Sequence, residues 1–299
     1  MSVSWKYSVI SSIARMYPFY SGCGTIANSH LMDVIAPSLP DLVWARSIGG
    51  EVLVPLDDLV GRALYFFGDL DPKVTWVISR LLAPGDIALD IGANLGFLSL
   101  FMARIVGAHG TVHAFEPNPV LCNILKQTFA RNHDSNIRLH PVALGASAGE
   151  MELRVPRDNL GAASLVRQTT SDLAYAHAVR VAGLDDLAAQ ESIAGPNFVK
   201  LDVEGFELEV LKGAEKFFSN SQPSILFESN DRSGGRETAP VMKWLHEHGY
   251  RFIVIPPRLL RMRTRVIEYN RPGDIVGNDI VAVSEGERFE VACHRLRAD

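Results

Sequence analysis

Thiols are scarce in this chain. Only three cysteines occur in 299 residues, and Cys23, Cys122 and Cys293 lie too far apart for a metal knuckle or a redox pair. A disulfide framework is thereby excluded, and the three are expected as reduced, buried thiols of a cytoplasmic protein. Long hydrophobic runs are missing as well. No apolar stretch approaches the roughly 20 residues that cross a bilayer, so membrane insertion is not expected. Lys6 and Arg15 interrupt the apolar residues near the start and no cleavage site stands out, so a secretory signal is not expected either. Positive charge is not in excess: the net charge is -5, which argues against a protein built to grip nucleic acid by its phosphates. The nine histidines form no metal-like cluster. His246 and His248 fall on different faces of a predicted helix, and His113 and His140 sit in predicted strands. There is no internal repeat and no low-complexity segment. What is left is a chain with 47% hydrophobic residues, enough for one large core with or without a small appendage, and with no sign of its oligomeric state.

The first part of the chain has no clear period. Ser4 to Tyr17 suits an amphipathic helix, Ser21-Gly-Cys-Gly24, Pro37 and Pro40 interrupt the next stretch, and Glu51 to Leu56 alternates weakly like a strand. Residues 1–64 are read as an N-terminal extension packed on a main domain, residues 65–299. From Asp71-Pro72, an N-cap followed by proline at the first helical position, a helix is expected to Leu82. Strands and helices then alternate. Strands are expected at Ile87–Ile91, Thr111–Phe115, Ile137–Leu144, Asn197–Val203 and Ser224–Glu228, and helices at Gly96–Val106, Asn118–Asn132, Glu204–Phe218 and Glu237–His248. Gly149 to Val166 looks like a hairpin insertion with Arg157–Gly161 at its tip, and strands near Phe252–Ile255 and Asp279–Val283 close the chain. Such alternation specifies an α/β, Rossmann-like fold: a mostly parallel twisted sheet with helices on both faces and ligands at the carboxyl ends of its strands.

Asp90-Ile-Gly92-Ala-Asn94-Leu-Gly96 lies between the first core strand and its helix, where glycines open the backbone to a ligand and the helix start offers N–H groups. Glu116, at the end of the next strand, is placed to accept hydrogen bonds from a ribose diol. A dinucleotide site would need G-x-G-x-x-G. Here Asn94 stands where the middle glycine belongs, and Asp90 would repel a pyrophosphate but suit an ammonium group. The loop therefore resembles the S-adenosylmethionine loop of class I methyltransferases, with a nicotinamide oxidoreductase disfavoured. Asp90, Gly92, Asn94 and Gly96 are assigned to the amino-acid end of that cofactor, Glu116 with Pro117 and Asn118 to the ribose, and the region after Pro141, at Ala143, to the adenine.

The run Lys200-Leu-Asp202-Val-Glu204-Gly205-Phe-Glu207, followed by Leu211-Lys-Gly-Ala214, resembles the FkbM family of methyltransferases. The Asp90–Gly96 loop, Phe115-Glu-Pro-Asn-Pro119 and the later Phe227-Glu228 also match, so the likeness covers residues 65–229. The resemblance implies a class I fold, S-adenosylmethionine as donor and O-methylation of a hydroxyl on a sugar or another small molecule. An amine or carboxylate acceptor on the same fold and a non-catalytic cofactor-binding domain are the alternatives. Asp202, Glu204 and Lys200 are the catalytic candidates, with Asp202 orienting or deprotonating the acceptor hydroxyl. As plain structure, acids there would only favour the positive end of a helix, and that reading is preferred for Glu207 and Glu209. No metal ligand is assigned; Mg²⁺ stays an option because Asp202 and Glu204 supply oxygens, too few by themselves to cage it. Arg258, Arg261, Arg263, Arg265 and Arg271 stand out in an acidic chain. They suit a solvated hairpin first and contact with an anionic acceptor second.

Overall fold

The computed structural model describes residues 5–35, 42–133, 136–156, 165, 173–228, 238–256, 264–267 and 279–297. The chain opens with three helices, α1 (Trp5–Ala14), α2 (Cys23–Ala27) and α3 (His30–Ile35), then a hairpin of β1 (Leu42–Arg46) and β2 (Glu51–Pro55), then α4 (Leu59–Phe67). Asp58 caps α4 by accepting from Val60 N and Gly61 N, and Asp71 caps α5 (Pro72–Leu81) by accepting from Lys73 N, with proline in the first turn as the sequence suggests. The expected helix at Ser4–Tyr17 is α1, while β1, α3 and α4 carried no legible signal.

The alternating region begins with β3 (Ile87–Ile91), α6 (Phe97–Val106), β4 (Thr111–Phe115), α7 (Pro119–Asn132) and β5 (Ile137–His140). It continues through β6 (Ala143–Leu144), β7 (Gly149–Pro156), β8 (Leu173–Ala182), α8 (Leu184–Glu191), β9 (Phe198–Leu201), α9 (Glu207–Lys212) and α10 (Glu215–Ser221). The last elements are β10 (Ser224–Glu228), α11 (Thr238–Glu247), β11 (Tyr250–Ile255), β12 (Arg265–Ile267), β13 (Asp279–Ser284) and α12 (Glu287–Arg297). Eight strands form the central sheet in the order β12-β11-β13-β10-β9-β3-β4-β5. The β10-β9-β3-β4-β5 run is parallel, and β13 is antiparallel to both of its neighbours. Order reverses between β3 and β9, which is where a doubly wound sheet opens a crevice for ligand. Of the arginine segment only Arg265 falls within the described residues, at the start of β12; Arg258, Arg261, Arg263 and Arg271 lie outside them, as does the expected hairpin tip Arg157–Gly161.

Side chains alternate across the sheet as the two-residue strand period requires. Ala88, Val112, Ala114, Phe198, Leu226 and Val281 pack on one face against Trp76, Ile78, Leu100, Phe289 and Leu296. Leu89, Ile91, Phe115, Val199, Leu201, Ile225 and Phe227 pack on the other against Leu187, Val210, Phe218 and Leu245. A three-stranded sheet, β6-β8-β7, stands beside these layers with its own small core of Leu153, Val155, Val179 and Val181.

Two expected elements are divided. The strand expected at Ile137–Leu144 ends at His140, because Pro141 has no N–H to continue the ladder, and Ala143–Leu144 pairs with β8 instead. The return strand of the hairpin is β8, well beyond the expected end at Val166. The helix expected at Glu204–Phe218 is α9 and α10, broken at Gly213, where a Cβ would lie 1.9 Å from Gly145 O. Asp185 caps the second piece from α8, accepting from Phe217 N at 2.8 Å. Two of the nine histidines meet in space: His113 Nδ1 lies 2.9 Å from His140 Nε2, and His140 Nδ1 lies 2.8 Å from Glu191 Oε2. Parallel pairing of β4 and β5 brings together residues far apart in the chain, and burial holds both rings below their usual pKa.

The break at Gly213 is a close approach that only glycine allows. Gly213→Ala should destabilise the protein by about 1–3 kcal/mol, the usual effect of overpacking a filled site. Urea unfolding followed by circular dichroism measures it; a midpoint equal to the parent's would show that the turn yields without cost.

Candidate active site

Parallel registry of β3 and β9 sets Asp90 beside Lys200. Neither can avoid burial: Asp90 is 0% exposed and Lys200 8%. The Lys200 ammonium donates to Gly92 O at 2.7 Å and lies 3.3 Å from Asp202 Oδ2 and 3.7 Å from Asp90 Oδ1. Burial works against its charge, and Asp202 and Asp90 outweigh burial, so its pKa is raised. On the far side of Asp90, Ser99 Oγ donates to Oδ2 at 2.5 Å. Of the three catalytic candidates, Lys200 is therefore a buried clamp between the glycine loop and the strand ends. Gly92 has a φ of 81°, and a Cβ there would lie 1.9 Å from Asp202 O, so the loop closes directly on the β9 end.

Glu116 stands at the end of β4, 5% exposed, and accepts from Asn94 N and Asn118 N, each at 2.9 Å. Burial pushes its carboxyl up to about 7, against those two hydrogen bonds, which favour the anion. A cavity of about 60 Å³ opens beside it, walled by Gly92, Asn94, Pro117, Leu121, Ala143, Leu153, Val203 and Phe206. Asn118 faces its own helix, capping α7 at Val120 N, and Gly96 is the left-handed residue before α6. Glu204 borders this same smaller cavity, in a left-handed turn with Gly205, and burial with Asp202 nearby pushes its carboxyl up to about 7. Glu207 accepts from Val203 N and Gly205 N, the structural role expected for it.

A larger cavity, about 300 Å³, lies over the other side of the loop and shares Asn94 and Asp202 with the smaller one. Its floor holds Asp90, Lys200, Asp202, Glu228 and Asp279; its walls include Leu70, Val74 and Phe97, with Gly22, Gly24 and Thr25 closing it from the N-terminal segment. Lys73 on α5 pairs with both Asp71 and Asp279. Asp71, Lys73 and Asp279 were not among the sequence candidates. They come from distant elements, and no local spacing signals them. Glu228 sat in a recognised motif without an assigned role.

Residues 90–252 match the family described as the methyltransferase FkbM domain, more than half of the chain. This chain belongs to the FkbM methyltransferases. A "Hexuronic acid methyltransferase AglP" from Haloferax volcanii is 27% identical over 64% of this chain and 69% of its own length. The "31-O-demethyl-FK506 methyltransferase FkbM" from Streptomyces tacrolimicus is 28% identical over 56% of this chain and 74% of its own. Among solved structures, an FkbM methyltransferase from Methylobacillus flagellatus overlies 75% of this chain and 65% of its own, at 16% identity and a TM-score of 0.44.

FkbM enzymes use S-adenosylmethionine, and the residues here fit it. Asp90 Oδ1 and Asn94 Oδ1 are buried acceptors without a hydrogen-bond donor, as a group bringing an ammonium would require. The donor set does not fit Mg²⁺: among the described residues no group of three or more His, Cys, Asp or Glu is arranged to hold a metal ion, and Asp202 already answers Lys200. Nor, among the described residues, is any helix long and apolar enough to cross a membrane, and the three cysteines are free and buried.

We propose that Glu116 holds the ribose diol as an anion; burial pushes its carboxyl up to about 7. Affinity for S-adenosylmethionine should therefore weaken as the solution is taken from about pH 8 to about pH 6, across that value. Glu116→Ala should cost on the order of 2–4 kcal/mol of binding and flatten the pH dependence. Calorimetry at several pH values tests both, and parental affinity in a folded Glu116→Ala protein would remove Glu116 from the cofactor site.

Proposed function

We propose that this enzyme moves the methyl group of S-adenosylmethionine to a hydroxyl oxygen of a small molecule or glycan. One observation carries the reading: the two cavities meet at Asn94 and Asp202. A cofactor with its adenosine on Glu116 and its amino-acid end toward Asp90 crosses that junction, leaving the larger cavity for the acceptor. Bound there, S-adenosylmethionine supplies an activated methyl group. The chain supplies alignment of the acceptor, which is a major part of the rate for a direct displacement.

The acceptor chemistry follows from the walls. Carboxylates accept hydrogen bonds from hydroxyls, and Leu70, Val74 and Phe97 suit the apolar face of a sugar or polyketide ring. The names of the two relatives, one acting on a hexuronic acid and one on 31-O-demethyl-FK506, support oxygen as the receiving atom. An amine is the second reading, favoured by the same acid walls, but those walls would keep it protonated and without a lone pair. In the first reading Asp202, held by Lys200, orients the acceptor. Glu204 acts from the cofactor side, and residues 1–64 form the unit that closes the cavity. The described floor is acidic and favours a neutral acceptor.

Calorimetric titration should show micromolar binding of S-adenosylmethionine and S-adenosylhomocysteine, about 10⁻⁶ M in dissociation constant, and none of NAD or NADP. With methyl-labelled donor, label should appear in base-stable ethers of neutral glycosides. Tight binding of NAD, or label recovered only in amines, would sink the reading.

A further inference from the structure

The larger cavity carries five carboxylates, and they are not equivalent. Asp71 and Asp279 share the Lys73 ammonium. Asp202 lies 3.3 Å from Lys200, and Asp90, fully buried, is held by Ser99 and the same lysine. Glu228 alone has no cation within ion-pair distance among the described residues. Parallel pairing of Phe227 with Leu201 and antiparallel pairing with Ile280 put Glu228 between Asp202 and Asp279 on the cavity floor, part of its side chain enclosed there and part reached by solvent.

We propose that Glu228 is the general base that takes the proton of the acceptor hydroxyl. This rests on the methyl-transfer reading and assigns the residue that reading leaves open. A carboxylate that neutralises a lysine leaves that ammonium uncompensated if it takes a proton, so Lys73 and Lys200 hold Asp71, Asp279, Asp202 and Asp90 to orienting roles. In the step, the hydroxyl oxygen forms a bond to the methyl carbon as the S–CH₃ bond breaks. The bonding pair passes to sulfur, giving the neutral thioether, and the hydroxyl proton passes to a Glu228 carboxylate oxygen and then to water. Among the described residues, the charged groups facing Glu228 are Asp202 and Glu204 after β9, Asp279 on β13, and Asp71 and Lys73 at α5. Burial, then Asp202 and Asp279, push its carboxyl up to about 7, near the value at which a base works best in neutral solution.

The test uses the whole protein, methyl-labelled S-adenosylmethionine and the methyl glycosides of glucose, galactose, mannose and rhamnose as probes. Glu228→Gln should lower kcat on the order of 10²–10⁴-fold, with the dissociation constant of S-adenosylhomocysteine and the circular dichroism spectrum unchanged. The parent's kcat/KM should rise with pH to a plateau through an apparent pKa near 7, a limb the variant loses. Glu228→Ala should regain turnover on adding acetate, which a merely structural role would not allow. A Glu228→Gln enzyme with parental kcat and the same acid limb would overturn Glu228 as the base and leave the methyltransferase reading standing. A parent that binds S-adenosylmethionine and methylates none of the glycosides would overturn the hydroxyl reading and the role of Glu228 with it.

Discussion

A buried ammonium group holds this site together. Removing a lysine charge from water costs several kcal/mol unless partners meet it on all sides. Lys200 finds them in the Gly92 carbonyl, Asp202 and Asp90. Gly92 and Asp90 belong to β3 and its loop and Asp202 to the end of β9, so one cation ties the glycine loop to the β9 end. The tie works only because Gly92 has no side chain to strike the Asp202 backbone. Both cavities are bounded by the residues brought together there, and a change that unpaired Lys200 would disturb both.

The site is otherwise dominated by negative charge. Asp202, Glu228 and Asp279 line up across three neighbouring strands, and Asp90 and Glu116 lie below the loop. Most of these carboxyls are raised above their ordinary pKa by burial. A cofactor with an ammonium and a sulfonium relieves that cost, since each positive charge stabilises acids that burial has disfavoured. Methyl transfer then converts the sulfonium to a neutral thioether, so the acid floor holds the product less strongly than the donor.

Two lysines divide the labour among these acids. Lys73 on α5 reaches Asp279 across the cavity, and Lys200 answers Asp202 from below. The N-terminal segment adds a lid of small residues, Gly22, Gly24 and Thr25, over the same space. The larger cavity thus draws on elements outside residues 90–252, the stretch that matches the family.

The sequence by itself determined the alternating core, the loop from Asp90 to Gly96 and the placement of Glu116 and Asp202 at strand ends, because each depends on local spacing. Strand period, a proline in a first helical turn and glycines at a tight turn are short-range facts that survive without neighbours. Tertiary structure decided the rest. Gly213 breaks a helical pattern because Gly145 presses on it, and the strand that runs into Pro141 is completed in a different sheet by a partner far along the chain. His113 and His140 meet through sheet registry, and Lys73 reaches Asp279 from a helix far away in sequence. Which carboxylate is left without a cation among the described residues is likewise a question of three-dimensional pairing, since ion pairs depend on distance in space and charge in the sequence does not record it.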